Sequence, residues 1–325
     1  MADLGHAGPR PGRTGKATRP GRRKTLTAAG IESLRRILTS YRHLDDELGP
    51  FRLRQGVASH LEMVQSLYGT GCSASVETAL GSVEAEFAQL VGWLAFDARD
   101  CWSAEHYFLK TLEAADTVGD HAVAAYAMKW LSLLAIDQGD GPEAVQRAQA
   151  ALRRVRKSGT ASGALGAAVL SAKARAHAKA GEPDACRAAL DQAEDQWSGA
   201  DPASVPPFLY YFDHAAMAGH RGIALALLGD SGPAQTALRE AVAAMPDNFV
   251  RDKAFFTAHL AAVLAHSGEI PEACTVATDA ADLLDRSSSG RTTQLLREID
   301  LQVATGHRSR ALPEVHALHM RLALL

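Results

Sequence analysis

From Leu26 onward the apolar residues return every three or four positions. Leu34, Ile37, Leu38, Tyr41 and Leu44 fall on one face of a helix, and Leu48-Gly49-Pro50 ends it, because glycine caps and proline cannot continue. A second helix is expected over Arg52 to Tyr68, closed by Gly69 and Gly71. A third begins near Ser75 and carries Val83, Phe87, Leu90, Val91 and Leu94. Nowhere does the chain alternate apolar and polar residues as a half-buried strand would. The pattern predicts an all-α fold.

Beyond the third helix the pattern repeats. Five segments consist of a helix, a tight turn and a second helix that opens on a small residue. The turns are Arg99-Asp100, Gly139-Asp140, Gly181-Glu182, Gly229-Asp230 and Gly268-Glu269, spaced 40, 42, 48 and 39 residues apart. Four of the five are followed by Pro142, Pro183, Pro233 or Pro271, which suits a first helical turn, where the missing N–H costs nothing. Ala104, Ala144, Ala185, Ala234 and Ala273 are assigned as the small residues where the two helices of a pair cross.

A small residue early in the first helix, an alanine opening the second, a bulky residue four positions later and a proline at the end resemble the tetratricopeptide pattern. Gly92, Ala104 and Phe108 carry the resemblance, as do Gly222, Ala234, Leu238 and Pro246, and Ala261, Ala273 and Ala277. The consensus tryptophan and tyrosine are absent, and the period is nearer 40 than the usual value of about 34. The resemblance implies a superhelical solenoid of antiparallel helix pairs. The expected organisation is a disordered basic tail at 1–24, N-terminal helices at 25–83, five tetratricopeptide-like pairs at 84–285 and capping helices at 286–325. Within the last region Arg286 to Arg291 reads as a linker, and Leu295, Leu296 and Ile299 would seal the end of the stack.

A second resemblance is narrower. The stretches LRRILTSYRHLDDELG, FAQLVGWLAFDARDCWSAEHYFLKTLEAADTVGD and PPFLYYFDHAAMAGHRGIALALLGD are similar to the C-terminal tetratricopeptide region of actinobacterial regulators that carry a Cro-repressor-like helix-turn-helix at their N-terminus. Members of that group often sit beside secondary-metabolite genes. The resemblance implies regulatory sensing by the repeat array, with antibiotic biosynthesis as a candidate output. Only the tail precedes Leu26, which leaves no room here for a DNA-reading domain of about 55–65 residues. A start site further upstream would restore one.

Composition sharpens this picture. The chain has 325 residues, 47% of them hydrophobic and 6% aromatic, with alanine abundant, which suits closely packed helices. Residues 1–24 hold Arg10, Arg13, Lys16, Arg19, Arg22, Arg23 and Lys24 against one Asp3, with little apolar content to offset the entropy of ordering. The formal net charge is −3, so removing this basic arm leaves an acidic body of about −9. The arm reads as a plain terminus, a linker remnant or a non-specific phosphate contact, and it has no aromatic residue to stack on bases. No apolar run reaches the roughly 18 residues of a membrane span, and no signal peptide is evident. Cys72, Cys101, Cys186 and Cys274 are far apart with no CxxC pair and read as reduced thiols, so a cytoplasmic location is expected. Cys186 and Cys274 are assigned to equivalent repeat positions.

No nucleophile elbow, phosphate loop, HExxH or dinucleotide fingerprint is present. A non-enzymatic protein without a cofactor is the expectation. His316 with His319, and His259 with His266, share helix faces but lack a carboxylate or cysteine partner at ligand spacing, so no metal site is assigned. Trp93, Phe96, Trp102, Tyr107 and Phe108 form an aromatic cluster read mainly as core. In tetratricopeptide arrays the first helices line a concave groove. The register of the turns places Gln89, Trp93, Asp97, Lys129, Leu133, Asp137, Arg175, Lys179, His220, Ile223, His259 and His266 there. Mixed charge and aromatic rings suit a peptide or a polar small molecule. The leading expectation is a regulator whose groove binds a protein, a peptide or a small-molecule effector and influences transcription. A non-regulatory scaffold and an accessory protein of a biosynthetic pathway are the alternatives.

Overall fold

A computed structural model describes residues 25–69, 71–159, 162–305 and 312–325. The basic residues Arg10 to Lys24 lie outside them. All regular elements among the described residues are helical. The fourteen α-helices are α1 (Ala28–Leu48), α2 (Pro50–Gln65), α3 (Ala74–Asp97), α4 (Cys101–Val118), α5 (His121–Asp137), α6 (Gly141–Val155), α7 (Ser162–Lys179), α8 (Pro183–Ser198), α9 (His214–Leu227), α10 (Ser231–Ala244), α11 (Val250–His266), α12 (Ile270–Leu284), α13 (Gly290–Thr305) and α14 (Pro313–Leu322). Two short 3₁₀ turns, Pro202–Ser204 and Pro207–Leu209, lie between α8 and α9. From α3 to α12 the chain forms five antiparallel pairs stacked as a tetratricopeptide-like solenoid, with α13 and α14 packed on its last pair. No helix among the described residues is long and apolar enough to cross a membrane.

The five turns share one backbone mechanism. Gly139, Gly181, Gly229 and Gly268 take φ between 77° and 87°, in the left-handed region, which glycine enters without a Cβ penalty. The following N–H reaches back five residues to close the helix, as in Asp140 to Ala135 at 2.9 Å and Glu269 to Leu264 at 3.0 Å. Arg99 holds the same conformation at φ 68° without being glycine. Asp100 and Asp140 then begin the next helix, their carboxylates accepting from the N–H groups of Ser103 and Glu143.

Close approach within each pair requires small residues. A Cβ on Gly92 would sit 2.7 Å from the Phe108 ring, and one on Gly222 would sit 2.6 Å from Leu238. Ala104, Ala144, Ala234 and Ala273 are fully buried. In the third pair this place belongs to Cys186, four residues after the turn and fully buried, whereas Ala185 is only half-buried. Cys186 and Cys274 are therefore one position out of register with each other. Cys186 substitutes for the crossing alanine, a small apolar side chain doing the same packing.

The array closes on itself. Helices α1 and α2 pack on α3, and the C-terminal end of α1 also reaches α11 on the far side of the stack. The segment 286–291, expected to be a plain linker, docks at this junction through the buried Ser287 and Ser289, while Arg286 stays exposed. Ser287 donates to the Asp46 carbonyl at 2.9 Å, and Ser289 donates to the Asp97 carboxylate at 2.8 Å. Gly290 lies so close to the end of α3 that a Cβ there would be 2.9 Å from the Asp97 carbonyl oxygen.

Candidate functional site

The first helix of each pair turns one face inward, and the closure by α1 converts the resulting groove into a narrow cavity of about 60 Å³. Gln89, Trp93, Leu133, Arg175 and His220 line it. A wider mouth of about 280 Å³ adjoins it, lined by Asp137, Lys179, Ile223 and His259, with Arg175, Phe255 and Arg291 shared between the two spaces.

The remaining three predicted groove residues face neither space. Asp97 is fully buried in the closure, accepting from Ser289 and from the Arg291 guanidinium at 3.1 Å. Lys129 is enclosed beside the cavity. Its ammonium lies 3.8 Å from the Trp130 ring centre and 4.8 Å from that of Tyr126, and it donates to the Tyr211 hydroxyl at 2.8 Å. His266 is exposed at the C-terminal end of α11. The aromatic cluster divides as well. Trp93, Phe96 and Phe108 pack with Trp130 in the core, whereas Trp102 is 78% exposed and stacks on His106 at the surface.

Other cavity residues escaped the register. Phe208, Tyr210 and Tyr211 enter from the segment between α8 and α9. The 48-residue spacing, the longest of the four, marked an insertion there but not where its rings would point. Arg251, Asp252 and Phe255 come from the first two turns of α11, along the face that also carries His259. Arg42 and Asp45 come from α1, and their presence depends on closure.

The wall where α1 meets α11 is dense with charge. Arg251 pairs with both Asp45 and Asp46, at 2.9 Å to the latter, and its guanidinium lies 5.0 Å from the Trp93 ring centre. The Trp93 indole N–H donates to Asp45 at 2.7 Å, and the Tyr210 hydroxyl donates to Asp46. Nearby, Arg42 pairs with Glu86 at 2.8 Å. Burial pushes the Asp46 carboxyl up to about 7 against the pull of Arg251. For Arg251, burial opposes the charge, but the carboxylates around it prevail and hold it protonated.

The α7 wall differs. Arg175 is only 6% exposed and has no hydrogen bond or ion pair among the described residues, and its Nε is buried without a partner. Burial lowers its pKa to about 10, with Asp137 pulling the other way. Burial also drives Lys129 and His220 well below their ordinary values and takes His259 to about 3, with Arg175 adding repulsion in each case. Both imidazoles are accordingly neutral. Among the described residues no three histidine, cysteine, aspartate or glutamate side chains gather as a metal would need.

A family model described as tetratricopeptide repeat matches residues 167–192 and 254–277. These segments fall on α7–α8 and α11–α12, so the chain contains a tetratricopeptide repeat region. Such a region points to protein–protein interaction. No curated protein matches the sequence. Among solved structures, the chain is similar to BtubC (BKLC) from P. vanneervenii, at 16% identity and a TM-score of 0.46, over 73% of this chain and 91% of that one.

Proposed function

We propose that this protein is a regulatory binding protein. Its repeat array receives a peptide, metabolite or protein partner on its inner face, and occupancy biases the closure made by α1, with transcription as the downstream output. The observation that carries the reading is the Arg251–Asp45–Asp46 cluster, which ties the first helix to the fifth pair across 206 residues of chain. A buried charge cluster joining two distant elements is a natural two-state device. Its geometry is favourable only when docked, and separation returns each charge to water. A ligand that contacts both walls would bias that equilibrium through its differential affinity for the two states.

The transcriptional part rests on the resemblance of residues 31–49 and 84–120 to the repeat regions of actinobacterial regulators. Transcript profiles of the parent strain, a deletion strain and a strain carrying Arg251→Met test it. The expected result is one common set of genes altered in both altered strains. Unchanged transcripts in the deletion strain would remove the regulatory role and leave an interaction scaffold.

A further inference from the structure

We propose that the cavity and its mouth bind a small organic acid, a carboxylate attached to an aromatic or similarly flat apolar body, with the carboxylate received by Arg175. This rests on the reading of the inner face as a ligand site and specifies the ligand's chemistry.

Four arginines line the cavity, and three of them have carboxylate partners. Arg42 has Glu86 at 2.8 Å, Arg251 has Asp45 and Asp46, and Arg291 has Asp97 at 3.1 Å. Arg175 is buried to the same degree as Arg42 and Arg251, yet has no such partner among the described residues. A buried guanidinium without a hydrogen-bonded counter-charge bears a desolvation cost that the more distant Asp137 offsets only in part. Its position on both the cavity and the mouth places it where an incoming group arrives. His220 Nδ1 is a second buried atom without a partner on the same wall, and it offers one further hydrogen bond to the same head group or its neighbour.

The unpartnered guanidinium selects a carboxylate, whose plane matches the guanidinium fork. Lys129 already has an aromatic box and a tyrosine hydroxyl. Asp252 in the cavity and Asp137 in the mouth add negative charge to the lining, which favours one carboxylate over a multiply charged anion. The rest of the lining selects the body of the ligand. Phe255 lines both the cavity and the mouth with Arg175, and Ile136, Ile223 and Leu227 line the mouth beside it. Flat apolar groups bury well against such a surface. The interior of about 60 Å³ is too small for a ring, so the body lies in the mouth of about 280 Å³, which has room for about one or two rings, and the carboxylate points inward to Arg175.

The probes are phenylacetate and indole-3-acetate, with phenylacetamide and indole-3-acetamide as uncharged controls and inorganic phosphate as a bare anion. Binding to the full chain is read by calorimetry and by the shift in thermal midpoint. The expected result is that one or both acids bind and raise the midpoint, while the amides and phosphate bind at least tenfold more weakly. Arg175→Met should weaken the acid at least tenfold while raising the midpoint of the ligand-free protein, since it removes a buried charge that has no ion-pair partner. A merely structural arginine would not give that opposite pair of effects. Arg175→Lys keeps the charge and should retain part of the binding, which covers the case of a methionine variant that fails to fold. Equal binding of acid and amide, full binding by Arg175→Met, or no binding by either acid at millimolar concentration would overturn the proposal. In that last case a transcript response to deletion would leave the regulatory reading standing and remove only the ligand class. An acid that binds without any transcript response to deletion would do the reverse.

Discussion

Arg251 and Arg175 occupy facing walls of one cavity, each on the first helix of its pair and each 6% exposed. The first is surrounded by carboxylates and holds the array shut. The second has no ion-pair or hydrogen-bond partner among the described residues, and only the more distant Asp137 pulls on it. The same side chain at the same depth thus acts as a fastener on one wall and as an unspent charge on the other. A buried arginine is not in itself a stabilising feature. Its sign is set by what the opposite element supplies, and for Arg251 that element is α1, more than two hundred residues away in sequence.

The largest effect that would test this contrast is loss of the fastener. Arg251→Met leaves two buried aspartates uncompensated and should cost about 3–5 kcal/mol, measured by chemical denaturation. It should also speed hydrogen exchange in α1 and in 285–291 before the rest of the array. Uniform exchange across all helices would show that the cluster is not a local closure. Adding Asp45→Asn and Asp46→Asn to that variant should recover about 2 kcal/mol, because the stranded charges go with their partner. A triple variant no more stable than the single one would place the cost in packing instead.

A third test concerns pH. Folding holds His259 neutral down to about 3, against an ordinary value of 6.5, so this histidine contributes stability above pH 6.5 that is lost as pH falls toward 3. Asp46 acts in the opposite direction. With its carboxyl raised to about 7, the stability linked to it is present at low pH and is lost as pH rises from about 4 to 7. The two oppose each other in the whole protein, so the comparison must be made with a variant. His259→Gln should narrow its stability gap to the parent by at most about 2 kcal/mol between pH 7 and pH 5. An unchanged gap would mean that the imidazole protonates freely in the mouth. The smallest effect is expected from Arg175→Met, a gain on the order of 1 kcal/mol, since lost packing of the arginine stem offsets part of the relieved desolvation. A loss of stability would show that Asp137 compensates Arg175 from the mouth.

The repeat itself was legible because its causes are local. A left-handed glycine, a capping acid and a small crossing residue all lie within a few positions of each turn, and they recur. Register from those turns also carried Gln89, Trp93, Leu133, Arg175 and His220 to the cavity wall. It failed where neighbours from elsewhere in the chain decide the environment. Asp97 and Lys129 point inward but are covered, one by Ser289 and Arg291, the other by Tyr211. Ala185 matches the alanine of the repeat pattern, but the fourth residue after the turn, where the helices cross, is Cys186. Trp102 belongs in sequence to an aromatic cluster that reads mainly as core, yet it stands at the second position of α4, on the solvent side. The insertion carrying Tyr210 and Tyr211 was visible only as an excess of length.

An ordinary stack of repeats has two free ends, and disturbance dies away from any point because each unit feels only its neighbours. Fastening α1 to α11 and 285–291 to the end of α3 turns the stack from a spring into a hoop. A spring absorbs a change of pitch at one coil by letting its ends move. A hoop must redistribute the change around its circumference or break at the fastening. In this molecule a small rotation of any one pair is therefore felt at the Arg251 cluster, whichever pair begins it.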